Sequence, residues 1–363
     1  MSEATATSLT ERLRTPRGVA VAAVVALSLV ALAALGLVAP GLLAELLDIA
    51  TSRTTLGSAL RLSVPIALAA VGGIFSEKSG VINIGLEGLL IISAFTAVFV
   101  VDTLAGNGAA TQTHVWTGFL AGVLASTVLA VLFGVVCIEF RADQIIAGLA
   151  VWLIALGLAP FAAQVVYGAP NTTSVTVPAT ITVPVLSEIP FFGALFDASP
   201  FVYLMFGAVA AGWYLLNRTA FGRWVRAAGE NPKALDTAGV DVSRVRYAAV
   251  TLSGVFSGMG GAALSLSLGQ FTGNGATMVN GKGFIAIVAY LFGNYNPVGA
   301  FLSTLLFAGL DALQTGLQNV AGYDLPSSLV RIIPFVSVIV VLALVGRTRI
   351  PEAAGDHYES GEE

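Results

Sequence analysis

The chain has 363 residues, of which 56% are hydrophobic and 10% charged, with a mean hydropathy of +0.87. Soluble domains carry roughly 25% charged residues, so this composition excludes a soluble fold and predicts an all-α polytopic membrane protein. A single cysteine, Cys137, excludes an internal disulfide, and a formal net charge of −4 resides largely in an acidic C-terminal tail. His114 and His357 lie near a span end and in the tail, which disfavours a histidine-based metal site.

The first half of the chain predicts five membrane spans. A polar segment at residues 1–17, predicted to be cytoplasmic, precedes apolar runs at 18–39, 56–74, 81–101, 115–138 and 145–166. The second and third runs are joined only by the polar turn at 76–80, which predicts a helical hairpin. Residues 167–199 are rich in Thr, Val and Pro, which predicts an external loop of irregular or short extended structure.

The second half predicts five more spans, at 201–216, 248–268, 283–292, 299–317 and 329–345. The run at 283–292 is too short to cross alone, because a crossing needs about 20 residues. Either it extends back through Val279 or it crosses only part of the membrane. The total is about ten transmembrane helices, several of them broken or short, within a transmembrane domain at 18–346. An acidic tail at 347–363 follows, and both termini are predicted to be cytoplasmic.

The distribution of basic residues supports this count. In this topology, four basic residues fall on the external side or inside a membrane segment: Arg53, Arg61, Lys282 and Arg331. The rest fall on the predicted cytoplasmic side, as the positive-inside rule expects.

A basic loop at residues 218–247 is the longest polar stretch between two apolar runs. It is predicted to be cytoplasmic and to contain a short helix from Pro232 to Ala238. Asn231 suits its N-cap, Pro232 its first position, and Gly239 its end. A helix lying across the ends of a membrane bundle is placed to receive a push from a partner. The alternative is a solvated loop that only fixes topology.

Two glycine pairs, Gly118–Gly122 and Gly254–Gly258, have GxxxG spacing within apolar runs. Small residues at this spacing let helices approach closely, which predicts helix packing. Kinks beside a conduit are the alternative, because broken helices are tolerated where they line a cavity.

Polar side chains inside or beside the spans are candidates for lining a pathway. A carboxylate at membrane depth normally faces protein or water. Asn83 and Glu87 are four residues apart and predicted to share a helical face, and Asp311 and Gln314 are three apart. The alternative is an interhelical hydrogen bond or a pair with Arg61 or Arg331. The candidates are Asn83, Glu87, Gln270, Asn274, Asp311 and Gln314, with Gln270 and Asn274 at the external mouth.

Motifs for catalysis are not recognisable. The glycines before Gly281-Lys282 have the wrong spacing for a phosphate-binding loop, and Gly283 stands where Ser or Thr is required. There is no HExxH, no paired cysteine ligands and no nucleophile elbow. We therefore expect a protein that is not an enzyme and has no cofactor or catalytic residue. Energy for uphill transport would come from an ion gradient or from another subunit.

Three segments resemble the permease family of ABC importers for ribose-type sugars, nucleosides and branched-chain amino acids. They are SEKSGVINIGLEGLLIISAF at 76–95, RAAGENPKALDTAGVDVSRVRYAAVTLSG at 226–254, and GKGFIAIVAYLFGNYNPVGAFLSTLLFAGLDAL at 281–313. The resemblance runs, with gaps, from about 56 to 345. Within the family, the first segment looks most like one of the two paired permeases of nucleoside or simple-sugar importers.

The resemblance implies a permease that works by alternating access and dimerises, usually with a paralogous permease. It also implies two ATP-binding subunits and an external substrate-binding lipoprotein, with a nucleoside favoured over a simple sugar. The segment from Lys233 to Gly239 is similar to the ATPase-docking pattern of importers, Glu-Ala-Ala and then Gly. Lys233 replaces its Glu and Leu235 its second Ala. The implied ATPase-coupling residues are Asn231, Pro232, Lys233, Ala234, Leu235, Asp236 and Gly239.

Two other hypotheses stay open. An ion-coupled secondary transporter would use Glu87 or Asp311 as its coupling carboxylate and would work without an ATPase. A membrane-embedded enzyme is the third, and the lack of a nucleophile–base pair or metal set makes it the weakest.

Overall fold

The computed structural model describes residues 40–106, 108–318 and 349–359. The predicted spans at 18–39 and 329–345, and with them Arg331, lie outside the described residues. Within these ranges the protein is mostly helical and has almost no sheet, as composition predicts.

Eleven α-helices form the described part of the chain. They are α1 Pro40–Ala50, α2 Arg53–Lys78, α3 Leu86–Ala105, α4 Gln112–Gly134, α5 Gln144–Tyr167, α6 Pro200–Arg218, α7 Ala220–Glu230, α8 Pro232–Thr237, α9 Val242–Leu268, α10 Lys282–Phe292 and α11 Pro297–Gln318. A π-helical turn, Val135–Glu139, continues α4. Seven helices in these ranges are long and apolar enough to cross a membrane: α2 to α6, α9 and α11. The total of about ten spans stays a prediction.

Helices α2 and α9 form the centre of the bundle, and most of their residues are buried. Small residues let them approach each other. A β-carbon on Gly72 of α2 would lie 2.9 Å from the carbonyl oxygen of Ser253 in α9. Gly261 of α9 meets the carbonyl oxygen of Leu90 in α3, where a β-carbon would have no room. Close backbone contact replaces the hydrophobic effect as the packing force between membrane helices.

Both predicted glycine pairs serve helix packing. Gly118 and Gly122 of α4 face α3, and a β-carbon on Gly122 would lie 2.9 Å from the Ser93 hydroxyl. Gly254 and Gly258 of α9 face α4 in turn, at Thr127 and Val123. The packing interpretation of these pairs is therefore confirmed.

The outer faces of α4 and α5 carry large exposed apolar side chains, as lipid-facing surfaces do. On α4 they include Leu120, Leu124 and Leu132, and on α5 they include Leu153, Leu158 and Phe161.

The loop between α5 and α6 contains short extended structure, as predicted. Strand β1, Ile181–Thr182, pairs antiparallel with β2, Asp197–Ala198, and two 3₁₀ turns lie at Leu186–Glu188 and Phe192–Phe196. The start of the loop is tied to the link between α9 and α10, because the Thr172 N–H donates to the Phe271 carbonyl at 3.0 Å.

Two predicted helix boundaries are wrong, and the structure decides between the two alternatives for a third helix. Helix α3 begins at Leu86 instead of residue 81, since Asn83 Oδ1 accepts the Gly85 N–H at 3.0 Å and forms a turn. Helix α9 begins at Val242 instead of residue 248, because the Asp241 carboxylate caps it by accepting the Arg244 N–H. Helix α10 does not extend back through Val279. It has 11 residues, about 16 Å, which matches a partial crossing.

Candidate functional site

Several connections meet at one end of the bundle, which we call the basic end. It comprises the α2–α3 link, the α4–α5 turn, the segment 219–241, the α10–α11 turn and the C-terminal segment 349–359. The Gln144 side-chain oxygen accepts the Ile82 N–H at 2.7 Å, which joins the α4–α5 turn to the α2–α3 link. The Asn294 side-chain oxygen accepts the Arg349 N–H at 3.1 Å, which joins the α10–α11 turn to the C-terminal segment.

The predicted short helix is present as α8. Asn231 Oδ1 accepts the Ala234 N–H at 3.0 Å, Pro232 occupies the first position, and Gly239 has a φ of +79°. The helix ends at Thr237, one residue before the prediction. Leu235 is buried and anchors the helix. The opposite face is exposed to solvent and consists of Lys233, Ala234, Thr237 and Ala238. Its role in coupling stays a prediction.

A second helix in the basic loop, α7, was missed. Thr219 caps it by accepting the Gly222 N–H at 3.1 Å. Its buried positions Gly222, Val225 and Gly229 follow helical spacing, a signal that the sequence contains. Gly229 packs so closely on the Lys78 carbonyl oxygen that a β-carbon would not fit. Helix α7 therefore connects α8 to the end of α2.

Sequence reasoning also missed Glu77, which was assigned to a polar turn. It lies inside α2 and is only 7% exposed. The hydroxyl groups of Tyr290 and Tyr295 donate to its two oxygens at 2.5 and 2.8 Å. Burial and the nearby Glu77 carboxylate raise the pKa of the Tyr295 hydroxyl far above its usual range, so it stays protonated and donates. The cluster fixes the α10–α11 turn to α2. Adjacent Lys78 and Ser79 concealed it, because the three together look like a turn.

Glu87 is 2% exposed and faces the start of α10. Its Oε1 accepts the Gly281 N–H at 2.7 Å, and its Oε2 accepts the Gly283 N–H at 2.6 Å. A helix N-terminus has unpaired N–H groups and partial positive charge, both of which a carboxylate satisfies. Glu87 therefore connects α3 to the start of α10 by two hydrogen bonds, and a role in the pathway stays a prediction.

Asn83 does not share a helical face with Glu87, because it precedes α3. Its amide donates to the Ser253 hydroxyl at 3.1 Å, which joins the α2–α3 link to α9. Arg61 is exposed and forms no ion pair with a described carboxylate, so it is not the partner of Glu87.

The remaining pathway candidates are dispersed. Gln270 and Asn274 are exposed on the α9–α10 link, and Asp311 and Gln314 are half-buried in α11. Within the described ranges, no group of three or more His, Cys, Asp or Glu side chains could hold a metal ion.

The seven long apolar helices and their close glycine packing define a multi-pass membrane protein. Residues 55–342 match the family model described as "Branched-chain amino acid transport system / permease component". The match spans most of the chain, so the chain belongs to this family of transport permeases.

Named relatives agree with the family. The chain is 36% identical over 316 residues to the nucleoside ABC transporter permease protein NupC of Lactococcus lactis subsp. cremoris, covering 85% of this chain and 98% of that protein. It is 36% identical over 308 residues to the guanosine ABC transporter permease protein NupQ of Bacillus subtilis, covering 82% and 94%. A second guanosine permease protein of B. subtilis, NupP, is 26% identical over 257 residues, covering 70% and 72%. No solved structure matches the chain.

Proposed function

We propose that this protein is the membrane permease subunit of an ATP-driven ABC importer that takes up nucleosides. The observation that carries the proposal is the similarity to NupC, which extends over 98% of that protein's length. A simple sugar is the second candidate solute. Both oxygens of Glu87 already accept backbone N–H groups, so this carboxylate gives no support to an ion-coupled transporter.

Two ATPase subunits and an external substrate-binding lipoprotein complete the proposed importer. A second, paralogous permease is also proposed, because two different guanosine permease proteins of B. subtilis both match this chain. The basic end would face the cytoplasm together with both termini, since basic loops remain on that side.

The proposed coupling route begins at the exposed face of α8, where the ATPase docks. Movement of α8 would pass through α7 to the end of α2, because Gly229 packs directly on Lys78. Glu77, one residue earlier, would transmit it to the α10–α11 turn through the hydroxyl groups of Tyr290 and Tyr295. Packed elements with few voids move as units, so a displacement at α8 would tilt helices around a central pathway.

The solute and energy source are tested together by uptake of labelled guanosine and labelled glucose in cells with and without the gene. A parallel strain carries a Glu→Gln change in the catalytic position of the ATPase. Loss of guanosine uptake in both strains is expected. Uptake that requires this chain but not the ATPase would overturn the proposal in favour of an ion-coupled transporter.

The coupling role of α8 is tested by removing Pro232–Ala238, which should stop uptake and ATPase association while the protein still reaches the membrane. A gentler variant, Ala234→Trp, places a bulky group on the exposed face of α8 and leaves Leu235 in its buried position. The matched control is Ala109→Trp, which is also exposed but lies beyond the far end of α3. If the deletion and Ala234→Trp both bound the ATPase as well as the control Ala109→Trp does, α8 would be excluded as the docking helix.

A further inference from the structure

The C-terminal segment 349–359 lies across the basic end and contacts most of the connections there. Pro351 and Ala353 are buried, although the segment has no regular secondary structure. The Ala353 N–H donates to the Gly229 carbonyl at 2.8 Å, and the Gly355 N–H donates to the Gly80 carbonyl at 3.0 Å. These two bonds fasten the segment to the end of α7 and to the α2–α3 link.

The contact between the C-terminal segment and the α2–α3 link requires a glycine at position 80. Its φ is +92°, and a β-carbon would lie 3.1 Å from the Ala353 carbonyl oxygen and 2.9 Å from the Arg246 guanidinium. Arg246 is 4% exposed and donates from Nε to the Ser79 carbonyl at 3.2 Å and from Nη1 to the Asp356 carbonyl at 2.8 Å. One buried cation of α9 therefore holds the α2–α3 link and the C-terminal segment together.

The end of the segment reaches α8 itself. The Tyr358 hydroxyl donates to Asp236 Oδ2 at 2.8 Å, and Glu359 forms an ion pair with Arg141 of the α4–α5 turn. A cleft of about 470 Å³ lies beside these contacts. Tyr358 and Glu359 form one of its walls. The other lining residues come from the end of α4 and the α4–α5 turn, from Asp236 of α8 and from residues 239–243.

Helix α8 needs such support because it is short. Six residues give about 9 Å of helix, which is only marginally stable alone, and Leu235 is its one buried side chain. Tyr358 holds the helix through Asp236 from the side that faces the cleft. Asp236 also lines the cleft, so a partner that enters the cleft beside α8 meets Tyr358 and Glu359.

We propose that the C-terminal segment 349–359 is part of the ATPase-docking surface, where it positions α8 and forms the second wall of the cleft that receives the ATPase subunit. This inference rests on the proposed function. Its occupant is the ATPase because Asp236 of α8, the proposed docking helix, lines the cleft together with Tyr358 and Glu359, and most of the lining residues are polar.

The test compares three forms of the chain co-expressed with the ATPase and the other importer subunits. One ends after residue 348, one ends after residue 359, and one is full length. Co-purification of the ATPase and solute-stimulated ATP hydrolysis are measured in detergent and in liposomes. We expect the form ending at 348 to lose at least threefold in both, and the form ending at 359 to equal the full chain.

Tyr358→Phe provides a second test that leaves the chain length unchanged. It removes the hydroxyl that Asp236 accepts, and Tyr214→Phe, on an exposed tyrosine of α6, is its matched control. We expect Tyr358→Phe to lower ATPase co-purification at least twofold and Tyr214→Phe to leave it unchanged. Because one hydroxyl is removed from a half-buried site, the variant should fold even if the truncated form does not.

Three outcomes would count against the proposal. Unchanged association in both the truncated form and Tyr358→Phe would overturn the proposal. Increased association or hydrolysis would also overturn it, because the segment would then obstruct the ATPase. If the full-length chain itself retains no ATPase, the proposed function fails first and this inference with it.

Discussion

Replacing Glu87 with Gln should loosen the N-terminus of α10 without altering the shape of the side chain. The carboxylate accepts two N–H groups, whereas an amide has one oxygen and turns a donor toward the other N–H. The loss of one hydrogen bond to a charged group costs about 1.5–3 kcal/mol. The lost charge at a helix N-terminus adds about 0.3–2 kcal/mol, so the total is about 2–5 kcal/mol.

The assay is hydrogen–deuterium exchange of the peptide that covers residues 279–285, supported by thermal unfolding in detergent. A cost of 2 kcal/mol or more should speed exchange of the Gly281 and Gly283 amides by about 30-fold or more. The unfolding temperature should fall by at least about 2 °C. Asp48→Asn, at an exposed carboxylate in α1, is the control and should change neither. Uptake should fall in maximum rate, with the KM for solute unchanged.

The opposite pattern would refute this reasoning. If Glu87→Gln left exchange and unfolding as in the original protein and raised the KM for solute, Glu87 would line the pathway. Its position against Gly281 and Gly283 would then be incidental to the stability of α10.

Two further substitutions test the packing of α10 and its turn. Tyr290→Phe removes one hydrogen-bond donor from buried Glu77, which should lower the free energy of unfolding by about 1–3 kcal/mol and slow uptake. Thermal unfolding and transport are measured in parallel, and unchanged values in both would remove the cluster from the coupling route. Gly283→Ala places a β-carbon against the backbone of Glu87 and should abolish uptake and reduce folded yield. Gly157→Ala, where a β-carbon meets no described atom, should do neither, and equal yields of the two variants would contradict the close contact.

The composition determined the class of this protein, because an apolar chain with 10% charged residues must satisfy its backbone polar groups in helices within lipid. Local patterns also located the individual elements. Asn231, Pro232 and Gly239 marked the ends of α8 to within one residue, since capping depends on neighbours within four residues. Packing of the GxxxG pairs was predictable for the same reason: helical spacing alone places both glycines on one face.

Only the tertiary structure decided what the polar residues do. Glu77 and Glu87 both follow apolar runs, yet the first binds two tyrosines over 200 residues away and the second caps a helix 194 residues away. The docking of the C-terminal segment on Gly80, Gly229 and Arg246 was equally hidden, because its composition is that of a solvated acidic tail. Periodicity reports which face of an element is apolar. It carries no information on which distant donor a buried carboxylate meets, and that pairing depends on how the helices assemble.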